Sequence, residues 1–85
     1  MNRIEKRLQE IASMDGFACD YHGISFERVT EAAISAARKE ANEIALDGWT
    51  PYLYFTLDGG ILIEADDGGP DILIHPDGSS EMIEF

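Results

Sequence analysis

The stretch YLYFTLDGGILIEA, residues 52–65, decides the fold. Its two apolar runs, Tyr52 to Leu57 and Ile61 to Ala65, carry the β-branched and aromatic side chains that suit a pleated surface, and they are split by Asp58-Gly59-Gly60, a hairpin turn signal. The pattern continues downstream with Asp71 to His75 and Glu81 to Phe85, and the separators Asp66 to Pro70 and Pro76 to Ser80 hold the Asp, Gly and Pro of tight turns. Four short runs joined by short turns predict an antiparallel β-meander. A period of two assigns Leu53, Phe55, Leu57, Ile61, Ile63, Ile72, Ile74, Ile83 and Phe85 to one face. Tyr52, Tyr54, Thr56, Leu62, Glu64, Asp71, Leu73 and His75 fall on the other.

Upstream of Trp49 the period is helical. Asn2 caps a first helix with Glu5 at the capping-box spacing, and Ile4, Leu8, Ile11 and Ala12 share a face before Asp15-Gly16 stops it. Phe17 to Tyr21 reads as an extended connector ahead of His22-Gly23. Ser25 is placed to cap a second, alanine-rich helix from Phe26 to Leu46, whose stripe is Phe26, Val29, Ala33, Ala37, Ala41 and Ile44, with Asp47-Gly48 as its stop. The expected fold is therefore α+β: two N-terminal helices packed on a C-terminal four-stranded antiparallel meander, one domain over residues 1–85. A second helix of that extent is about 32 Å long. Five-residue strands reach about 17 Å, so the helix crosses the sheet diagonally, overhangs it, or has its overhang covered by the first helix.

Charge is distributed unevenly. The chain has 17 acidic and 6 basic residues, a net charge of -11. All the bases (Arg3, Lys6, Arg7, Arg28, Arg38 and Lys39) precede Gly48, whereas Asp58, Glu64, Asp66, Asp67, Asp71, Asp77, Glu81 and Glu84 follow it with no base among them. A protein that neutralises phosphates needs a cationic face, so direct binding to nucleic acid or to an anionic membrane is disfavoured. The single cysteine, Cys19, excludes an internal disulfide, and the charged N-terminus followed by no apolar run lacks the form of a signal peptide. A cytoplasmic protein is expected.

The residues offer little to catalysis. Cys19 and His22 have a C-x-x-H spacing with His75 as a third candidate ligand, but a structural zinc site needs four ligands. Cys19 beside Asp20 lacks the electropositive surroundings that create a reactive thiolate. The acidic stretch from Asp66 to Asp77 departs from a calcium loop at Pro70, Ile72 and Asp77. There is no P-loop, Gly-x-Gly-x-x-Gly or Gly-x-Ser-x-Gly motif. A non-enzymatic protein needing no cofactor or metal is the expectation.

The base-free half points to a partner with a basic surface. Strand carboxylates two residues apart repeat at about 6.6–6.8 Å and adjacent strands lie about 4.8 Å apart, spacings comparable to those of anions along a nucleic-acid backbone. Exposed tyrosines beside them would anchor an interface. The expected partner-binding residues are Tyr52, Tyr54, Glu64, Asp66, Asp67, Asp71, Asp77, Glu81 and Glu84. If the first helix instead covered this face, the sheet would be a middle layer and the tyrosines core. In size, acidity and absence of catalytic signatures the chain resembles the stoichiometric inhibitors made by phages and mobile elements, anti-CRISPR and other nucleic-acid mimics included. That resemblance implies steric occlusion of a nucleic-acid-binding complex. The alternatives are an immunity protein that neutralises a basic nuclease toxin, and an oligomerisation domain in which Phe85 and the edge strands pair two copies as a homodimer. A purely solubilising role for the charge is the simplest competing explanation.

Overall fold

The structure is a computed structural model that describes residues 3–13, 27–66 and 69–83. Two helices, α1 (Arg3–Ser13) and α2 (Glu31–Leu46), precede four strands, β1 (Pro51–Phe55), β2 (Ile61–Ala65), β3 (Asp71–Ile74) and β4 (Ser80–Ile83). The strands form one antiparallel sheet in the order β1-β2-β3-β4, the expected meander. The connector at 17–21, the caps assigned to Asn2 and Ser25, and the stop at Asp15-Gly16 lie outside the described residues, as do Cys19, His22, Phe26, Asp67, Glu84 and Phe85.

The second helix starts later than its apolar stripe suggests. Glu27 to Thr30 are not helical, and Thr30 is the N-cap: its side-chain oxygen accepts from the Ala33 amide at 3.1 Å. The cause is competition for backbone donors. The Thr30 amide, which a helix starting at Phe26 would bond to the carbonyl four residues back, donates instead to the Gly59 carbonyl at 3.2 Å. The Glu27 amide, without an acceptor at such a helix start, donates to the Leu57 carbonyl at 2.9 Å, so this segment is tied to the β1–β2 turn. Val29 is buried all the same, delivered by that extended segment. The remaining 16 residues make a helix of about 24 Å, which reduces the overhang expected from the longer span. Gly48, with φ +94°, accommodates the left-handed turn that follows the helix.

Both helices share one side of the sheet. Ile4, Leu8 and Ile11 of α1 and Ala33, Ala37, Ala41 and Ile44 of α2 join Leu53, Ile61, Ile63, Ile72 and Ile74 in a single core cluster. The alanines let α2 approach the sheet closely, while the isoleucines supply the apolar volume. Gly60 is required where the first hairpin passes β3, because a Cβ there would sit 2.2 Å from the Ile74 carbonyl oxygen.

Two residues depart from the face expected of them. Leu57 is 51% exposed, because β1 ends at Phe55 and Thr56 turns the chain with its hydroxyl, which accepts from the Gly60 amide at 2.9 Å. Ile83 pairs with Asp71, on the side away from the helices, while Met82 pairs with Ile72 on the helix side and is 64% exposed at the sheet edge. The β3–β4 turn sets this register by closing His75 onto Ser79, whose carbonyl accepts the His75 amide at 2.8 Å.

Candidate interaction face

The hydrogen-bond alternation of the sheet orders its outer face. Thr56 donates to Gly60 and Asp66 to Thr50, so even-numbered residues of β1 bond to β2 and odd-numbered ones turn their backbone groups outward. On β2 the odd residues therefore bond to β3, and Glu64↔Asp71 and Leu62↔Leu73 are non-hydrogen-bonded pairs, the type with the closest side chains. Two rows cross the outer face. One runs Tyr52, Glu64, Asp71, Ile83, and the other Tyr54, Leu62, Leu73, Glu81.

Most of the partner-binding residues expected from sequence are thus brought together. Tyr52 and Tyr54 are 39% and 43% exposed, Glu64 and Glu81 are exposed, and Asp71 is half-buried between its neighbours. α1 and α2 pack on the opposite side, so neither helix covers this face, and the tyrosines are not core. Among the described residues, Glu64 and Asp71 have no cationic partner. Glu81 lies 3.1 Å from the His75 imidazole, a contact that becomes an ion pair only when the ring is protonated.

Two other expected residues are occupied locally. Asp66 continues the Glu64 side of β2, and its carboxylate accepts from the Thr50 amide at 2.7 Å, closing the open end of the first strand pair. Asp77 sits in the β3–β4 turn, at the other end of the sheet, where its carboxylate accepts from the Ser79 amide at 2.9 Å and the Ser79 hydroxyl at 2.6 Å. The Ser79 hydroxyl, and then its amide, hold Asp77 below the ordinary carboxylate range. The Thr56 hydroxyl does the same for Asp58 in the β1–β2 turn. These two carboxylates remain ionised into more acidic solution than isolated aspartates.

Sequence reasoning left out two members of this surface. Ile83 reaches it only through the register of the last hairpin, which periodicity within one strand does not reveal. Arg3 borders it, its guanidinium carbon 4.8 Å from the Tyr52 ring centroid, a cation–π contact between the first helix and the edge strand. No described polar or charged side chain is buried, and no three His, Cys, Asp or Glu side chains among the described residues gather as a metal site would require. No helix among the described residues is long and apolar enough to cross a membrane. No protein-family model, curated protein or solved structure matches this chain.

Proposed function

We propose that this protein is a small acidic binding protein that occludes a basic surface, a nucleic-acid-binding one by preference, and acts without chemistry of its own. The observation that carries this reading is the row Tyr52, Glu64, Asp71: two carboxylates held side by side next to a tyrosine, on a sheet face that neither helix covers. Like charges directly opposed across strands are destabilising, and contiguous exposed apolar groups are uncommon on monomers. A cationic partner relieves the first and buries the second. Steering by the net charge of -11 would speed association, and the tyrosines with Leu62 and Leu73 would supply the desolvated contact. The phage-type inhibitor and the cytoplasmic setting belong to this proposal.

The test is capture of partners from a host lysate at low and moderately high salt, with competition by nucleic acid. One basic nucleic-acid-binding protein, released by salt and displaced by its own nucleic acid, is the expected result. Capture that ignores both salt and nucleic acid counts against occlusion of a phosphate-binding surface.

Self-association has one feature in its favour. The Ser80 and Met82 backbone groups of β4 turn outward by the same alternation and meet no partner among the described residues, leaving a free sheet edge. Light scattering that gives a monomer at high protein concentration removes that reading.

A further inference from the structure

The protein's few bases are not scattered evenly over it. Three of the six, Arg3, Lys6 and Arg7, line a cleft of about 320 Å³ between α1 and the outer edge of β1, together with Tyr52, Leu53, Tyr54 and one carboxylate, Glu10, which pairs with Arg7. This is the low end of the range for small-ligand sites, roughly 300–1,000 Å³, and room for one ring with a polar head. Arg7 is committed: its Nε donates to the Leu53 carbonyl at 2.8 Å and its Nη1 to Glu10 at 3.2 Å. Arg3 lies over the Tyr52 ring. Lys6 has no partner among the described residues.

The strand edge adds a second donor. Leu53 belongs to the odd-numbered residues of β1, whose amides point away from β2, and its N–H meets no acceptor among the described residues although the residue is 3% exposed. Enclosed backbone amides without a partner are rare in native proteins and mark places where water or a ligand completes the bonding. One ammonium and one amide, both unused among the described residues, are donors of the kind that the two oxygens of a single carboxylate accept from. The phenol rings, one of them beneath the Arg3 guanidinium, offer aromatic surface beside these donors.

We infer that this cleft binds a small aromatic carboxylate, its anionic head between Lys6 and the Leu53 amide and its ring against Tyr52 and Tyr54. The site shares Tyr52 and Tyr54 with the outer face, but its ligand is a small anion and its cations lie on α1, so its test reads separately from that of the outer-face proposal.

Benzoate is the probe and benzamide its uncharged control, titrated at constant ionic strength into the ¹⁵N-labelled protein and followed by amide chemical shifts. Benzoate should give saturable shifts centred on Lys6, Tyr52 and Leu53, with benzamide at least about tenfold weaker, the factor that loss of one charge-assisted hydrogen bond produces. Lys6→Gln should weaken benzoate by a similar factor, whereas Lys39→Gln, on α2, should leave it unchanged. Linear, unsaturated shifts, equal response to benzamide, or equal sensitivity to the Lys6 and Lys39 substitutions would each overturn the assignment.

Discussion

Glu64 and Asp71 stand directly opposite each other across the β2–β3 ladder, as a non-hydrogen-bonded pair, with Tyr52 flanking Glu64 on the next strand. Two carboxylates at the closest cross-strand position repel, at a cost of roughly 0.2–1 kcal/mol. Neutralising one of them, by Glu64→Gln or Asp71→Asn, should therefore stabilise the free protein by a few tenths to about 1 kcal/mol, equivalent to a rise of up to about 4–8 °C in Tm. Thermal denaturation followed by circular dichroism measures this. A loss of stability in both variants would mean that the pair is compensated by contacts other than those described.

Salt should act on the free protein in the same direction. At a net charge of -11, self-repulsion opposes the compact state, and raising ionic strength from about 0.01 M to 1 M shortens the screening length from about 30 Å to 3 Å. Tm should rise over that range in sodium chloride while partner binding weakens. Among the described residues, the partly exposed ion pairs Arg7–Glu10 and Arg38–Glu5 oppose the trend only slightly, because such contacts contribute about 0–1 kcal/mol each. A Tm that falls with salt would show that attraction, not repulsion, dominates the surface.

Thr30 joins the helix layer to the sheet. Its hydroxyl oxygen caps α2 by accepting from Ala33, and the same hydroxyl donates to the Pro76 carbonyl in the β3–β4 turn. Thr30→Ala should cost about 1–2 kcal/mol in denaturant unfolding, and Thr30→Ser, which keeps the oxygen, only a fraction of that. Equal effects of the two would assign the stability to the methyl group instead of the cap.

The turn carboxylates set an acid limit. Asp58 and Asp77 have folded values below the ordinary 3.8, so each contributes stability that is fully present above that value and is lost as the pH falls through the depressed folded one. Carboxyl chemical shifts should show both residues titrating below ordinary aspartates. Ser79→Ala removes the larger cause for Asp77 and should move its midpoint upward, with Asp58 unaffected. An unchanged Asp77 midpoint would assign the shift to the backbone amides of the turn and to His75 instead of the hydroxyl.

Much of the fold was legible because each layer is written in local pattern. Alternating side chains and Asp-Gly turns define the hairpins, and Ile4, Leu8 and Ile11 mark the buried stripe of α1. The start of α2 was not legible, because Ser25 and Thr30 are both competent caps and the choice depends on Glu27 and Thr30 bonding to a turn about 30 residues away. Ile83 and Leu57 were misplaced for a related reason: a strand's own period fixes alternation, but turn geometry fixes which residues enter the alternation. The acidic row was readable as composition. That Glu64 meets Asp71, whereas Asp66 is spent on the Thr50 amide, needed the register.

The proposed interface rests on where its carboxylates sit, not on total charge. The direct measurement compares two triple variants with equal loss of charge for binding to whichever basic protein a lysate capture yields: Glu64→Gln/Asp71→Asn/Glu81→Gln on the outer face, and Glu31→Gln/Glu40→Gln/Glu43→Gln on α2. The sheet variant should lose much of its affinity, mainly through slower association, and the helix variant should bind nearly as the wild type does. Equal loss in the two variants, or none in the sheet variant, would contradict the proposed interface.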